Sequence, residues 1–126
     1  MNGREIALFA AGVADEKKGT NIVIYDGRGL MDITDYLVIV TANSKAQIRA
    51  ILETISLRLK QAHVPKLGQE GNESAHWVLL DYNDCIIHIF SPALRDYYTL
   101  EALWGDAPKL DWTHEAPAVL AGLAEK

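Results

Sequence analysis

Trp77-Val78-Leu79-Leu80-Asp81-Tyr82-Asn83-Asp84-Cys85-Ile86-Ile87-His88-Ile89-Phe90 is the stretch that decides the fold. Two runs of β-branched, aromatic and other apolar residues flank the polar centre Tyr82-Asn83-Asp84. This pattern predicts an antiparallel hairpin, with Asn83 the residue best able to take φ > 0 in the turn. Alternate strand residues point to opposite faces, so Trp77, Leu79 and Asp81 go one way and Val78, Leu80 and Tyr82 the other. One set must face helices; the pattern alone does not say which.

Working outward, residues 2–18 place Ile6, Phe9, Ala10 and Val13 at helical spacing, and Lys17-Lys18-Gly19 supplies a basic last turn with a glycine stop. Asn21 to Tyr25 reads as a strand, Asp26-Gly27-Arg28-Gly29 as a turn, and residues 35–41 as a second strand. The unbroken apolar run Leu37 to Val40 implies burial on both faces. Ser44-Lys45-Ala46-Gln47 fits a capping box, and the helix it opens carries Ile48, Ile51, Leu52, Ile55 and Leu59 on one stripe. Pro65 ends that element. A short strand is expected near Lys66 to Gly68, then the hairpin over 76–90, then a helix with Ser91 as cap and Pro92 in its first turn. The resulting order predicts an α/β fold: a mixed β-sheet of about five strands with helices packed on it, the second strand leading through its helix into a parallel crossover. Residues 1–107 make one domain; 108–126, rich in Ala, Pro and Glu, reads as a C-terminal tail with a frayed helix over Ala116 to Leu123.

A chain of 126 residues, 49% of them hydrophobic, has room for one domain that buries roughly two thirds of its unfolded surface. There is no apolar run of about 18 residues to span a membrane, and the N-terminus lacks the basic-then-apolar order of a secretory signal. A cytoplasmic location is therefore expected. The single cysteine, Cys85, excludes an internal disulfide and reads as a small buried hydrophobe within a strand. The net charge of −5 argues against direct nucleic-acid readout, which needs clustered Lys and Arg, and favours a basic protein partner.

Several separated motifs together resemble the ribosomal silencing factor family, also called Iojap-like proteins. Asp32-Ile33-Thr34-Asp35-Tyr36 leads into the apolar strand as the family's Asp-x-x-Asp-Tyr/Phe element does; Gly68-Gln69-Glu70-Gly71 matches its Gly-x-Glu-Gly turn; and Arg95-Asp96-Tyr97-Tyr98-Thr99-Leu100-Glu101-Ala102-Leu103-Trp104-Gly105-Asp106-Ala107 matches its ending. The chain departs from the family at Ala42 and Asn83, where Gly is usual, and at Ala46, where Arg is usual. The resemblance implies a nucleotidyltransferase-like topology and a non-enzymatic translation repressor, without cofactor or metal, that binds protein uL14 of the large ribosomal subunit and sterically blocks joining of the small subunit.

Each candidate chemistry has a structural counterpart. Asp32 and Asp35 precede a strand, as the acids of a nucleotidyltransferase do, but no Gly-Ser phosphate loop lies ahead of them, and three-residue spacing on a strand points them to opposite faces. They read as a turn or cap, with side-chain oxygens on backbone amides. His88 with Asp81 and Asp84 lacks metal-ligand spacing and reads as a histidine hydrogen-bonded in place. What remains is a surface: Trp77, Leu79, Asp81, Tyr82 and His88, edged by Asp84 and Glu70, with Arg95 and Tyr98 from the last helix, has the aromatic anchors and polar rim of a protein interface. A nucleotide-binding enzyme is the alternative from another class, and a homodimer pairing through the hairpin patch is a third.

Overall fold

The computed structural model describes residues 1–30, 32–98 and 100–124. Helix α1 (Gly3–Glu16) begins at a full capping box: Glu5 N donates to Asn2 Oδ1 at 2.8 Å and Asn2 N donates to Glu5 Oε1 at 3.0 Å. Strands β1 (Thr20–Asp26) and β2 (Tyr36–Thr41) follow, then helix α2 (Lys45–Gln61), strands β3 (Gly68–Asn72), β4 (Trp77–Asp81) and β5 (Cys85–Phe90), and helices α3 (Pro92–Tyr98), α4 (Leu100–Leu103) and α5 (Ala116–Ala124). The five strands form one mixed sheet in the order β1-β2-β5-β4-β3, with β2 and β5 parallel and the other neighbours antiparallel.

The predicted hairpin is β4–β5, and Asn83 sits in its turn with φ 72°. Thr34 Oγ1 donates to the Asn83 carbonyl at 2.9 Å, tying the turn to the loop before β2. Every residue of β2 is buried, because one of its faces carries helices and the other carries the chain beyond β5. On the helix face Ile24, Val38, Val40, Val78, Leu80, Ile87 and Ile89 meet α1 and the Ile48, Ile51, Ile55 and Leu59 stripe of α2. Cys85 lies in this core, and burial pushes its thiol well above the usual range, so it packs as a hydrophobe.

Four expectations are revised. Ser44 caps α2 through Gln47 N at 3.0 Å, but the Gln47 side chain accepts from Asn43 N rather than from Ser44, so the reciprocal bond falls one residue earlier. The third strand is Gly68–Asn72: the segment read as a Gly-x-Glu-Gly turn is itself the edge strand, and only Gly71, at φ 74° with the Trp77 carbonyl 2.1 Å from where a Cβ would stand, departs from regular geometry. Asp32 and Asp35 are exposed in the loop before β2; the loop is held instead by the Asp35 carbonyl, which accepts from Gly27 N at 2.8 Å, and by Asp26, whose Oδ1 accepts from Arg28 N.

The fourth concerns residues 108–124, which do not trail away. Asp26 N donates to the Pro108 carbonyl and Leu110 N to the Ile24 carbonyl, both at 2.8 Å, so this segment covers the outer edge of β1. Trp112 Nε1 donates to the Ile22 carbonyl at 3.1 Å. Helix α5 then lies on α1, whose small residues permit close approach: a Cβ on Gly12 would stand 2.6 Å from Leu120 Cδ1. Composition hid this docking, because Val119 and Leu120, which pack on the core, are set in a segment otherwise rich in Ala and Pro. Gly12→Val should therefore overpack the contact and lower stability by about 1–3 kcal/mol in urea unfolding, with faster chymotryptic cleavage beyond Trp112. Unchanged stability and cleavage would show that α5 is not held there.

Candidate interaction face

Cross-strand pairing lines up the second face of the sheet in rows. Asn72, Trp77, Phe90 and Thr41 form one; Glu70, Leu79, His88, Ile39 and Val23 the next; Gly68, Asp81, Ile86, Leu37 and Tyr25 the third. The chain from α3 onward covers only part of this face: Trp104, Leu94 and Ala107 close over Tyr25, Leu37, Ile39 and Phe90. From β2 to β3, exposure therefore rises along each row. Leu37 and Ile39 are buried, Trp77, Leu79, Asp81 and Ile86 are half-buried, and Gly68, Glu70 and Asn72 are exposed. The open half is thus β3, β4 and the near side of β5.

Its floor is an aromatic stack. His88 lies nearly parallel to Phe90, with ring centroids 5.4 Å apart and planes 3° apart, and Trp77 stacks beside both at 6.3–6.4 Å. Trp77 Nε1 donates to His88 Nδ1 at 3.1 Å. An indole N–H can only donate, so Nδ1 carries a lone pair and the proton of the neutral ring sits on Nε2. Burial drives the His88 pKa down to about 4, keeping the ring neutral at physiological pH. The histidine is thereby held in place, as its strand context predicted.

The expected site residues separate into groups. Glu70, Trp77, Leu79, Asp81 and His88 come together on the open face. Asp84 is exposed in the adjoining turn, and one Asp81 oxygen is committed to Asn83 N at 2.8 Å. Tyr82 points to the helix side and is 5% exposed, so it does not belong to this surface. Arg95, expected as a contact residue, is also 5% exposed: it donates to Thr41 Oγ1 at 2.9 Å, to the Asn21 carbonyl and to Glu101 Oε1 at 2.9 Å, fastening α3 and α4 across β1 and β2. Its length lets it span the covering layer, where Nε and Nη1 find acceptors while the buried Nη2 has none among the described residues. The Tyr98 side chain lies outside the described residues. Leu103, not foreseen, is 70% exposed at the end of α4, while Trp104 in the turn that follows is buried.

The family model described as ribosomal silencing factor during starvation matches residues 2–124. The chain belongs to the ribosomal silencing factor family. The ribosomal silencing factor of Chromobacterium violaceum is 37% identical over 105 residues, covering 83% of this chain and 86% of that one. That of Bacillus subtilis is 37% identical over 111 residues, covering 88% and 94%. A crystal structure of a Chromobacterium violaceum protein superposes with a TM-score of 0.78 at 35% identity, over 92% of this chain and 96% of that one. The match of the family model through residue 124 includes α5, in keeping with the docked C-terminal segment.

The His88 environment carries a pH signature. Its folded pKa of about 4 lies below the 6.5 of a solvated histidine. The unfolded chain therefore takes up the proton first, and the stability is fully present above pH 6.5, is lost as pH falls from 6.5 toward 4, and levels off below. A depression of this size corresponds to about 2–3 kcal/mol across the window. His88→Phe, which preserves the stack, should flatten this part of a stability-against-pH curve between pH 6.5 and 4.5, above the range in which most carboxylates titrate. Parallel curves for wild type and variant would rule out a neutral buried His88.

Proposed function

We propose that this chain is a non-enzymatic repressor of translation that binds the large ribosomal subunit through protein uL14 and sterically blocks association with the small subunit. The observation that carries the reading is the open half of the sheet. It joins Trp77, stacked on the buried His88 and Phe90, to the half-buried Leu79 and Ile86, rimmed by Glu70 and Asp81, with Asp84 exposed in the adjoining turn. That is the make-up of a protein interface: an apolar centre with little ordering left to lose and a polar edge. Family membership supports the ribosomal setting. The acidic rim on a chain of net charge −5 suits a basic protein, where complementary charge raises the rate of encounter and fixes orientation. A block of this kind acts by occupancy, so inhibition saturates near one copy per large subunit and needs no nucleotide, and the chain acts in the compartment that holds the ribosomes.

Sedimentation with separated subunits tests this. The protein is expected to travel with large subunits and not with small ones, and to prevent reassembly of whole ribosomes from purified subunits without added nucleotide. Leu79→Arg places a charge at the centre of the face at a half-exposed position and should weaken binding by about 2–4 kcal/mol with the fold intact. Glu70→Lys at the rim should act mainly on the association rate, an effect that fades at high salt. Trp77→Ala is a poorer probe, since it also opens the stack beneath. Full binding by a folded Leu79→Arg variant would move the interface off this face, and inhibition that required nucleotide and metal would point to the enzymatic alternative.

A further inference from the structure

At the centre of the open face, Leu79 of β4 stands between Glu70 of β3 and His88 of β5, and beyond His88 lies the buried Ile39. Ring stacking with Trp77 and Phe90 fixes the His88 side chain, and Trp77 Nε1 donates to its Nδ1 at 3.1 Å. An indole has a single polar hydrogen, so Trp77, although half-buried at the surface, has nothing left to donate to a partner. The side chains of Leu79 and Ile86 carry no donor, and the carboxylates of Glu70 and Asp81 only accept.

His88 Nε2 fills that gap. It bears the proton of the neutral ring, makes no hydrogen bond among the described residues, and is not one of the atoms shut away from solvent without a partner. The ring is 9% exposed, so Nε2 reaches solvent from an otherwise enclosed imidazole. Water satisfies such a donor in the free chain. A partner that covers the face removes the water, and leaving the N–H unmatched then weakens binding roughly 5- to 150-fold. The matching group is restricted as well: ammonium and guanidinium groups cannot accept, and a carboxylate would meet the repulsion of Glu70 and Asp81 at the rim. A neutral carbonyl oxygen meets neither objection.

We propose, on the reading that the open face is the ribosomal contact, that His88 is its specificity-determining residue: Nε2–H donates to a neutral carbonyl oxygen, backbone or amide, on the partner protein. Basic side chains of the partner then meet the acidic rim while a carbonyl meets the centre. One ring serves two ends, Nδ1 holding Trp77 and Nε2 recognising the partner. A protein that presents a donor at this point is rejected, because two N–H groups would face each other without water.

NMR of the free chain and binding to purified large subunits test this. Long-range nitrogen–proton correlation spectra are expected to show a neutral His88 ring with its proton on Nε2; a proton on Nδ1 overturns the assignment without any variant. Large subunits should retain the wild type and lose Leu79→Arg, which places the contact on this face. Folded His88→Phe keeps the stack and lacks both nitrogens, and should bind about tenfold or more weakly. His88→Gln carries an amide nitrogen to the position of Nε2, whereas His88→Asn stops at that of Nδ1 and can only hold Trp77; the Gln variant should bind about fivefold or more tightly than the Asn variant. Asn binding as tightly as Gln or tighter, or His88→Phe binding like wild type while Leu79→Arg does not bind, overturns the donor role and leaves the reading of the face standing. Leu79→Arg binding like wild type, or no binding of wild type to large subunits, overturns both.

Discussion

Everything in this molecule hangs on the parallel pairing of β2 with β5. The register runs from Tyr36 opposite Cys85 to Thr41 opposite Phe90, and it joins two antiparallel hairpin units, β1–β2 and β4–β5, into one sheet. Parallel strands cannot be connected by a tight turn, so α2 and the β3–β4 excursion must lie between them in sequence. Because β2 and β5 lie inside the sheet and are rich in apolar residues on both sides, both their faces demand cover. Helices α1 and α2 provide it on one side with long apolar stripes, whereas the other side receives only the short helices beyond Phe90. The unequal cover is what leaves half of one face open.

That second layer is thin, and it is fastened by polar bonds as much as by packing. Arg95 reaches the Asn21 carbonyl and Thr41 from above, Glu101 holds Arg95, and Trp104 fills the space over Gly27, where a Cβ would stand 2.2 Å from the indole ring. A buried guanidinium that loses one acceptor is costly, so these contacts specify one placement of the layer. The edge of that layer sets where the open face begins.

The legibility of these features in sequence follows from their physics. The hairpin, the doubly buried β2 and the amphipathic α2 were readable because each writes a periodic signal: two for strands, unbroken for the inner strand, 3.6 for the helix. The edge strand β3 was half-seen, since Gly68-Gln69-Glu70-Gly71-Asn72 has no apolar side to alternate and is placed only by its pairing to β4. The docked α5 was missed because its contacting Val119 and Leu120 sit among Ala, Pro and Gly and make too short a stripe to stand out. Of the open face, the hairpin residues and Glu70 were legible as a set through alternation and motif. Arg95 was misjudged because a charged side chain on a short helix ordinarily faces water, and its burial depends on a carbonyl 74 residues away in sequence. Tyr82 was misplaced for a different reason: composition marks a tyrosine beside a turn as surface, while pleat parity puts it with Val78 and Leu80.

The two rims of the sheet are unlike. Beyond β1, residues 108–110 already bond the Asp26 amide and the Ile24 carbonyl, which obstructs that margin for another strand. Beyond β3, by contrast, Gly68 to Asn72 stand exposed along their length. A sheet with two vacant margins can extend without limit, strand after strand and chain after chain. With the β1 margin obstructed, a strand laid along β3 from a second copy finds no equivalent open place at the far side of the sheet, which disfavours further growth. The segment that looks like a trailing end thus acts as a terminator, denying this protein the geometry of a fibre.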